Sequence, residues 1–489
     1  MHGSSAFEGR REMGGKLILI VGTSSGSGKS TISTALCRII SNSGYRVAPF
    51  KAVNMSRNSV SLKDGSEIAR AQWLQAIASG TEPEKEMNPV LLKPEKDGRS
   101  QVIIKGRSLG TFSLREYQNI VADTGRRAVS SSLENLLERY DVVVAEGAGS
   151  PSEINLRRED LSNSYILSEY DPYTILVADI ERGGVFASIL GTLELMANPA
   201  SVKGVVINKM MGDEQILKPG IVEIERITGK KVLGVVPYYT DIYLPGEDSF
   251  DYERERIINR KVCVVKYPMM ENYSDLDPFI IYGIGFTYVT GENKEAIEGC
   301  DLVILPGSKN VLEDVNYLRR SGLWERLKSA KKIVGICGGF QMLSERIEDP
   351  EMVQATLRSY EGLGLLKCKF TYRPDKTTRA VSYEIRNSHI ACGREAGYEI
   401  HYGELSESGE EPLCLVDGKG EGAISHDGRV IGTNIHGILE NPCFLKYVLG
   451  QETEERYWNS LNKNLDLLAD LVRKNVDLSD LLTFLSSGK

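Results

Sequence analysis

Lys16-Leu-Ile-Leu-Ile-Val21 runs straight into Gly22-Thr-Ser-Ser-Gly-Ser-Gly-Lys-Ser30, and a helix-compatible stretch follows from Ser30 to Ser43. An apolar strand, a glycine-rich turn and a helix start make an anion site, because successive backbone N–H groups converge there and the helix dipole adds positive potential. In this reading Gly22, Thr23 and Gly28 shape an ATP-binding loop, Lys29 reaches the terminal phosphates and the Ser30 hydroxyl holds Mg2+. The match to G-x-x-x-x-G-K-[ST] is offset: Thr23 stands at the first glycine position and Gly22 lies one residue earlier. A chance glycine-serine turn is the plainer alternative, and the placement between strand and helix argues against it.

Outward from this loop, strand-like runs recur at Val47–Phe50, Val142–Ala145, Thr174–Ala178, Val205–Ile207 and Val232–Val236, spaced by helical segments. Such alternation predicts a parallel sheet covered on both faces. Apolar runs restart at Val262–Lys266, Leu302–Leu305 and Ile333–Ile336, and a second α/β unit runs on to Gly437, with hairpin-like pieces around Gly397–Gly403 and Gly422–Gly432. The expected organisation is a polar, disordered extension over 1–15, a P-loop domain over 16–245, an acidic linker over 246–260, a second α/β domain over 261–445 and a helical tail over 446–489. A chain of 489 residues is too long for one ordinary core, which agrees with this division.

The composition, 41% hydrophobic and 26% charged with a net charge of −8, is that of a water-soluble globular protein. It offers no basic patch for nucleic acid and no apolar run long enough to enter a membrane. The eight cysteines are scattered without a CxxC pair, which argues against zinc and against a disulfide framework, and for a reducing cytoplasm. The oligomeric state stays open at this level, homo-oligomer included.

Glu146 ends the run Val142-Val-Val-Ala-Glu146-Gly, where a carboxylate at the sheet edge can face the phosphate loop and hold metal. A surface glutamate in a tight turn is the alternative. Asp64 is a weaker metal candidate, since an aspartate before glycine often only makes a turn. Asn208-Lys209 also follows a strand and could read the nucleotide base; the guanine motif would need aspartate at 211, but Met211 is there, so ATP is preferred to GTP. Lys51, in Pro49-Phe-Lys51, is a candidate for phosphate or substrate carboxylate, beside the plain reading of a surface lysine.

A second chemistry is written in Gly335-Ile-Cys337-Gly-Gly339, a nucleophile elbow with cysteine in place of serine. Small neighbours permit the sharp turn, and the following helix start favours a thiolate. The Gly338 N–H can stabilise an oxyanion, with a second donor from Leu305-Pro-Gly307-Ser308. A buried packing cysteine is the alternative, against which the flanking glycines speak. A thiol nucleophile needs a base. Of five histidines, His436 in Gly432-Thr-Asn-Ile-His436-Gly437 is the first candidate and His401 the second; on spacing alone the choice is near even. Ile438 occupies the position where a glutamate would complete a triad, so a Cys-His dyad is expected.

These stretches are similar to the cobyric acid synthases, glutamine-dependent amidotransferases of cobalamin biosynthesis, from about residue 16 to the C-terminus. The resemblance is carried by Tyr45-Arg-Val-Ala-Pro-Phe-Lys-Ala-Val-Asn-Met55, Glu67-Ile-Ala-Arg-Ala-Gln72, Met87-Asn-Pro-Val-Leu-Leu-Lys-Pro94, Glu146-Gly-Ala-Gly-Ser-Pro-Ser-Glu-Ile-Asn-Leu156 and Val177-Ala-Asp-Ile-Glu-Arg-Gly-Gly-Val-Phe186. It implies a dethiobiotin-synthetase-like P-loop domain joined to a class I (triad-type) glutaminase domain, with Cys337 and His436 on the catalytic positions. It further implies amidation of the b, d, e and g carboxylates of adenosylcobyrinic acid a,c-diamide, each consuming glutamine and ATP. The related a,c-diamide synthases carry a Gly-Pro-Asp-Tyr stretch that is absent here. The alternatives are a glutamine-dependent ligase for another acid, and a P-loop ATPase switch carrying an inert glutaminase-like module.

Overall fold

Ile18, Leu19, Ile20 and Val21 are completely buried, as a central strand covered on both faces requires. The computed structural model describes residues 14–95, 98–245, 261–450 and 456–487. In it, strand β1 (Lys16–Gly22) sits inside a six-stranded sheet with β2 (Val47–Phe50), β3 (Val142–Glu146), β4 (Tyr173–Asp179), β5 (Val202–Met210) and β6 (Val232–Pro237). The order is β6-β5-β4-β1-β3-β2, with every pair parallel. Helix α1 (Lys29–Asn42) leaves the phosphate loop and buries Ile32, Leu36, Ile39 and Ile40 against the sheet core. Helix α2 (Arg70–Ala78) follows, and strands at Val53–Met55, Val90–Pro94, Arg99–Ile104 and Arg107–Ser113 form a separate small sheet that the sequence reading did not anticipate.

The second unit contains β7 (Val262–Val265), β8 (Phe286–Val289), β9 (Leu302–Leu305), β10 (Ile333–Ile336), β11 (Cys368–Arg386), β12 (Ala391–Ser408), β13 (Ala423–Ile424) and β14 (Val430–Thr433). Its main sheet runs β8-β7-β9-β10-β14-β13 and is parallel except for the last, antiparallel pair. Short helix α3 (Gly338–Leu343) follows β10. The hairpin expected around Gly397–Gly403 is far longer: β11 and β12 pair antiparallel from Cys368–Ser408 to Arg386–Ala391, and their polar alternation had hidden their length.

The last helices, α4 (Tyr457–Asn475) and α5 (Ser479–Ser486), return to the first unit. Leu461, Leu465, Leu468 and Val472 join the cluster that holds Ile32 and Leu36 of α1. Arg38 pairs with Asp466 at 2.7 Å, and the Asp477 N–H donates to the Leu233 carbonyl at 2.7 Å. Of the expected extension, residues 1–13 lie outside the described residues, as does all of the expected linker 246–260. Gly15 is described, and its N–H donates to the Leu137 carbonyl at 2.9 Å. Among the described residues no helix is long and apolar enough to cross a membrane.

The expectation of no disulfide is overturned. Cys263 is bonded to Cys300, and Cys392 to Cys443. The partners are 37 and 51 residues apart and meet only through the fold: Cys263 lies on β7, and Cys300 just before the neighbouring β9. Local cysteine spacing therefore could not reveal them, and the cysteine argument for a reducing compartment falls with them.

Candidate active sites

At the phosphate loop, β1 ends at Gly22, and the loop closes on the start of α1 with Gly28 in the left-handed region at φ 96°. A side chain at Gly22 would overlap Ser27 Oγ and the Lys29 stem, so only glycine lets the loop fold back here. The Thr23 N–H donates to the Val177 carbonyl at 3.0 Å, tying the loop to β4. Lys29 Nζ reaches the carbonyls of Ser24 (3.0 Å) and Gly149 (2.9 Å), curling over the loop. Asn208 Nδ2 donates to the Ser27 carbonyl at 3.0 Å, so this side chain braces the loop itself. Lys209 pairs with Asp179 at 2.9 Å.

Glu146, at the end of β3, is completely buried. Its Oε1 accepts from Ser30 Oγ (2.8 Å) and Lys51 Nζ (2.8 Å), and its Oε2 from Gln75 Nε2 (2.7 Å). The structure thus gathers Ser30, Lys51 and Glu146 in one cluster. A serine hydroxyl beside a carboxylate is the oxygen donor set that Mg2+ accepts through one or two protein ligands, so these residues fit the ion. Asp64 stands elsewhere. Its carboxylate takes the Ser66 N–H at 3.0 Å and pairs with Lys85 at 3.2 Å, which is the turn role.

In the second unit the elbow is real geometry: Cys337 sits between β10 and α3 at φ 52°, ψ −111°, a strained position for a non-glycine residue. Its N–H donates to the Thr433 carbonyl at 2.8 Å, and its thiol faces the Ile400 carbonyl at 3.4 Å. Gly338 opens α3, so its N–H has no acceptor within the helix. A Cβ at Gly338 would press on the Ser308 backbone nitrogen, which places the Gly307-Ser308 strand against the elbow. Asp314 holds that strand, accepting from Ser308 Oγ at 2.6 Å.

His436 and His401 both come to this place, and the structure separates them. His401 is buried, neither ring nitrogen has a hydrogen-bond partner among the described residues, and burial lowers its pKa. His436 is completely buried, and its Nδ1 lies 2.8 Å from Asp275 Oδ2, while Tyr398 stacks on its ring. Burial alone would lower its pKa; the charge and hydrogen bond of Asp275, with Cys337 beside it, outweigh burial and raise it to about 10. The Gly437 N–H donates to the other Asp275 oxygen at 2.9 Å. Beside the expected pair Cys337 and His436 the structure thus places a third group, the Asp275 carboxylate. A pocket opens at Cys337, lined by Glu271, Lys309, Gln341, Lys376, His401 and Tyr402.

Known proteins place the chain in a family. A profile of the CobQ/CobB/MinD/ParA nucleotide-binding domain matches residues 18–248, and one of the CobB/CobQ-like glutamine amidotransferase domain matches 261–444. A probable cobyric acid synthase of Thermoplasma acidophilum is 48% identical over 96% of this chain and 100% of its own. The chain belongs to the cobyric acid synthase family. A second probable member, from Picrophilus torridus, is 48% identical over 97% of this chain and 100% of its own. The cobyric acid synthase of Clostridium botulinum is 41% identical over 96% and 99%. Family and domains make the chain a glutamine-hydrolysing amide ligase with a nucleotide-binding domain.

Within this member of the family, sequence reasoning missed Asp275 and Gln75. Asp275 lies in Glu271-Asn-Tyr-Ser-Asp275-Leu-Asp277, within a single helical turn (Tyr273–Leu276) after β7 and 161 residues from His436. The only local signal was a cluster of acids just past a strand end, where catalytic groups of parallel sheets gather. Lys93 was quoted only as part of a matching stretch; it is completely buried and pairs with Glu67 (2.6 Å) and Glu271 (2.5 Å), crossing from one unit to the other.

Proposed function

We propose that this chain is a cobyric acid synthase that amidates the b, d, e and g carboxylates of adenosylcobyrinic acid a,c-diamide, with one glutamine and one ATP for each amide. The contact between Asp275 and His436 at 2.8 Å, in the same chain as a complete phosphate loop, carries the mechanism. The substrate follows from the relatives' name and the resemblance.

Cys337, its proton taken by His436, attacks the side-chain amide of glutamine. Asp275 holds the imidazole by Nδ1 and offsets the charge that it gains. The N–H groups of Gly338 and of the Gly307-Ser308 turn receive the oxyanion. Collapse expels ammonia, the proton returning through His436, and water then cleaves the glutamyl thioester to glutamate. At the other site a corrinoid carboxylate attacks the γ-phosphorus of ATP, giving an acyl phosphate and ADP, because a free carboxylate is a poor electrophile. Lys29 spreads the charge of the transferring phosphoryl group, and Lys51 lies beside it for phosphate or carboxylate. Mg2+, when bound, neutralises phosphate charge from Ser30 and Glu146. Ammonia displaces phosphate to give the amide. Bound substrates would be small molecules in the cytoplasm.

The test is mass spectrometry of adenosylcobyrinic acid a,c-diamide incubated with the protein, glutamine, ATP and Mg2+. Four successive carboxylate-to-amide mass changes, matched by glutamate and ADP, are expected. Glutamate release without any change in the corrinoid would leave the ligase class standing and refute the substrate.

A further inference from the structure

The helical turn that carries Asp275 (Tyr273–Leu276) is held on its outer side by the nucleotide-binding unit. Asn272 Oδ1 accepts from the Ser59 N–H at 3.3 Å, and the Asn272 N–H donates to the Arg57 carbonyl at 3.2 Å. The Ser274 N–H donates to Asn58 Oδ1 at 3.2 Å. Two residues beyond Asp275, Asp277 meets the guanidinium of Arg70 at 3.0 Å. The same guanidinium lies 3.6 Å from Glu440, four residues beyond His436, and 3.0 Å from the Tyr457 hydroxyl. Arg70 and Asp277 are 3% and 0% exposed.

One buried cation therefore ties together the two segments that bear the imidazole and its carboxylate, and it comes from the other unit. We propose that Arg70 is a positioning residue of the thiol site: by bridging Asp277 and Glu440 it keeps Asp275 against His436. This rests on the glutaminase reading of Cys337, His436 and Asp275. Physically, removal of the guanidinium takes the shared donor and counter-charge from Asp277, which is completely buried, and from Glu440, which is half-buried, and the two segments relax apart. Arg70 also begins α2, whose Gln75 is bonded to Glu146 at the phosphate loop, so one short helix touches both sites.

The experiment compares Arg70→Met and Arg70→Lys in the full chain, with Cys337→Ser in parallel. Glutamate release gives kcat and KM for glutamine, and iodoacetamide measures the reactivity of Cys337. Misplacing a base by about an ångström costs on the order of 100-fold, so Arg70→Met is expected to lose roughly 10–100-fold in kcat. Its KM should stay within about threefold, since ground-state binding of glutamine is untouched. Alkylation should slow in step, and Arg70→Lys, which keeps the charge without the fork, should fall between. A wild-type kcat in Arg70→Met, a loss wholly in KM, or a lysine variant as slow as methionine would each overturn the proposal. Should Arg70→Met fail to fold by its melting curve, Asp277→Leu removes the same contact from the other side and is read by the same kcat and KM criteria. Glutamine hydrolysis surviving in Cys337→Ser would instead refute the underlying glutaminase reading. A dead Cys337→Ser beside a fully active Arg70→Met would refute this inference alone.

Discussion

Replacing Asp275 by Asn keeps the shape of the His436 contact and removes its charge. The imidazole is held up from 6.5 to about 10 against the burial that would lower it, with Asp275 the foremost opposing cause. At about 1.4 kcal/mol per pH unit, that rise favours the imidazolium by roughly 5 kcal/mol. The charge forms whenever Cys337 gives up its proton, so its stabilisation enters the barrier directly. The loss need not be complete, because an asparagine oxygen can still accept from Nδ1; a fall in kcat for glutamine hydrolysis of about 100- to 10,000-fold is expected. Coupled glutamate detection measures it, with the alkylation rate of Cys337 followed from pH 5 to 10. In Asp275→Asn the imidazolium loses its counter-charge, so alkylation of Cys337 at pH 7 should slow in step with kcat. A variant within about threefold of the parent in kcat, with an unmoved alkylation profile, would refute the role of Asp275.

Gly22→Ala forces a methyl group onto Ser27 and Lys29; ATP-dependent amide formation should fall by about 100-fold or more, while glutamate release stays measurable, as read in parallel assays. Thermal melting should depend on pH in a definite direction. Asp277 and Asp314 are completely buried and pushed up by burial to about 7, so their contribution to stability is full below their unfolded pKa near 4 and is lost as pH rises through 7. His436 acts in the same sense between 6.5 and about 10. Glu271, held down to about 2 by Lys93 and Lys309 against burial, acts oppositely and loses its contribution only as pH falls below about 4.5. The melting temperature should therefore be highest near pH 5 and fall toward pH 8; a steady rise from 5 to 8 would contradict these burials. Labelling of the denatured, unreduced chain should modify four thiols, Cys37, Cys337, Cys368 and Cys414, and eight after reduction.

Much of the fold was legible because parallel strands buried on both faces are written as short continuous apolar runs; Val47–Phe50, Leu302–Leu305 and Ile333–Ile336 agree with the structure residue for residue. The phosphate loop and the elbow were legible for a related reason, since each is a local turn whose glycines and reactive side chain are neighbours in sequence. Contacts made by distant segments were not. Asp275 reaches His436 across 161 residues, Cys392 reaches Cys443 across 51, and Arg70 joins segments belonging to both units. The position of Ile438 pointed to a dyad because it asked only whether the acid lay beside the histidine in sequence. The carboxylate comes instead from the helical turn Tyr273–Leu276, which packs against the turn after β14.

The central claim is that one chain divides its labour, releasing ammonia at Cys337 and using it at the phosphate loop. Cys337→Ala, given ATP, Mg2+ and adenosylcobyrinic acid a,c-diamide, tests it most directly when glutamine and ammonium chloride are compared as nitrogen donors. The account predicts no amide product from glutamine and product near the parent's rate from ammonia. Amide formation from glutamine in this variant, or none from ammonia in a folded one, would contradict it.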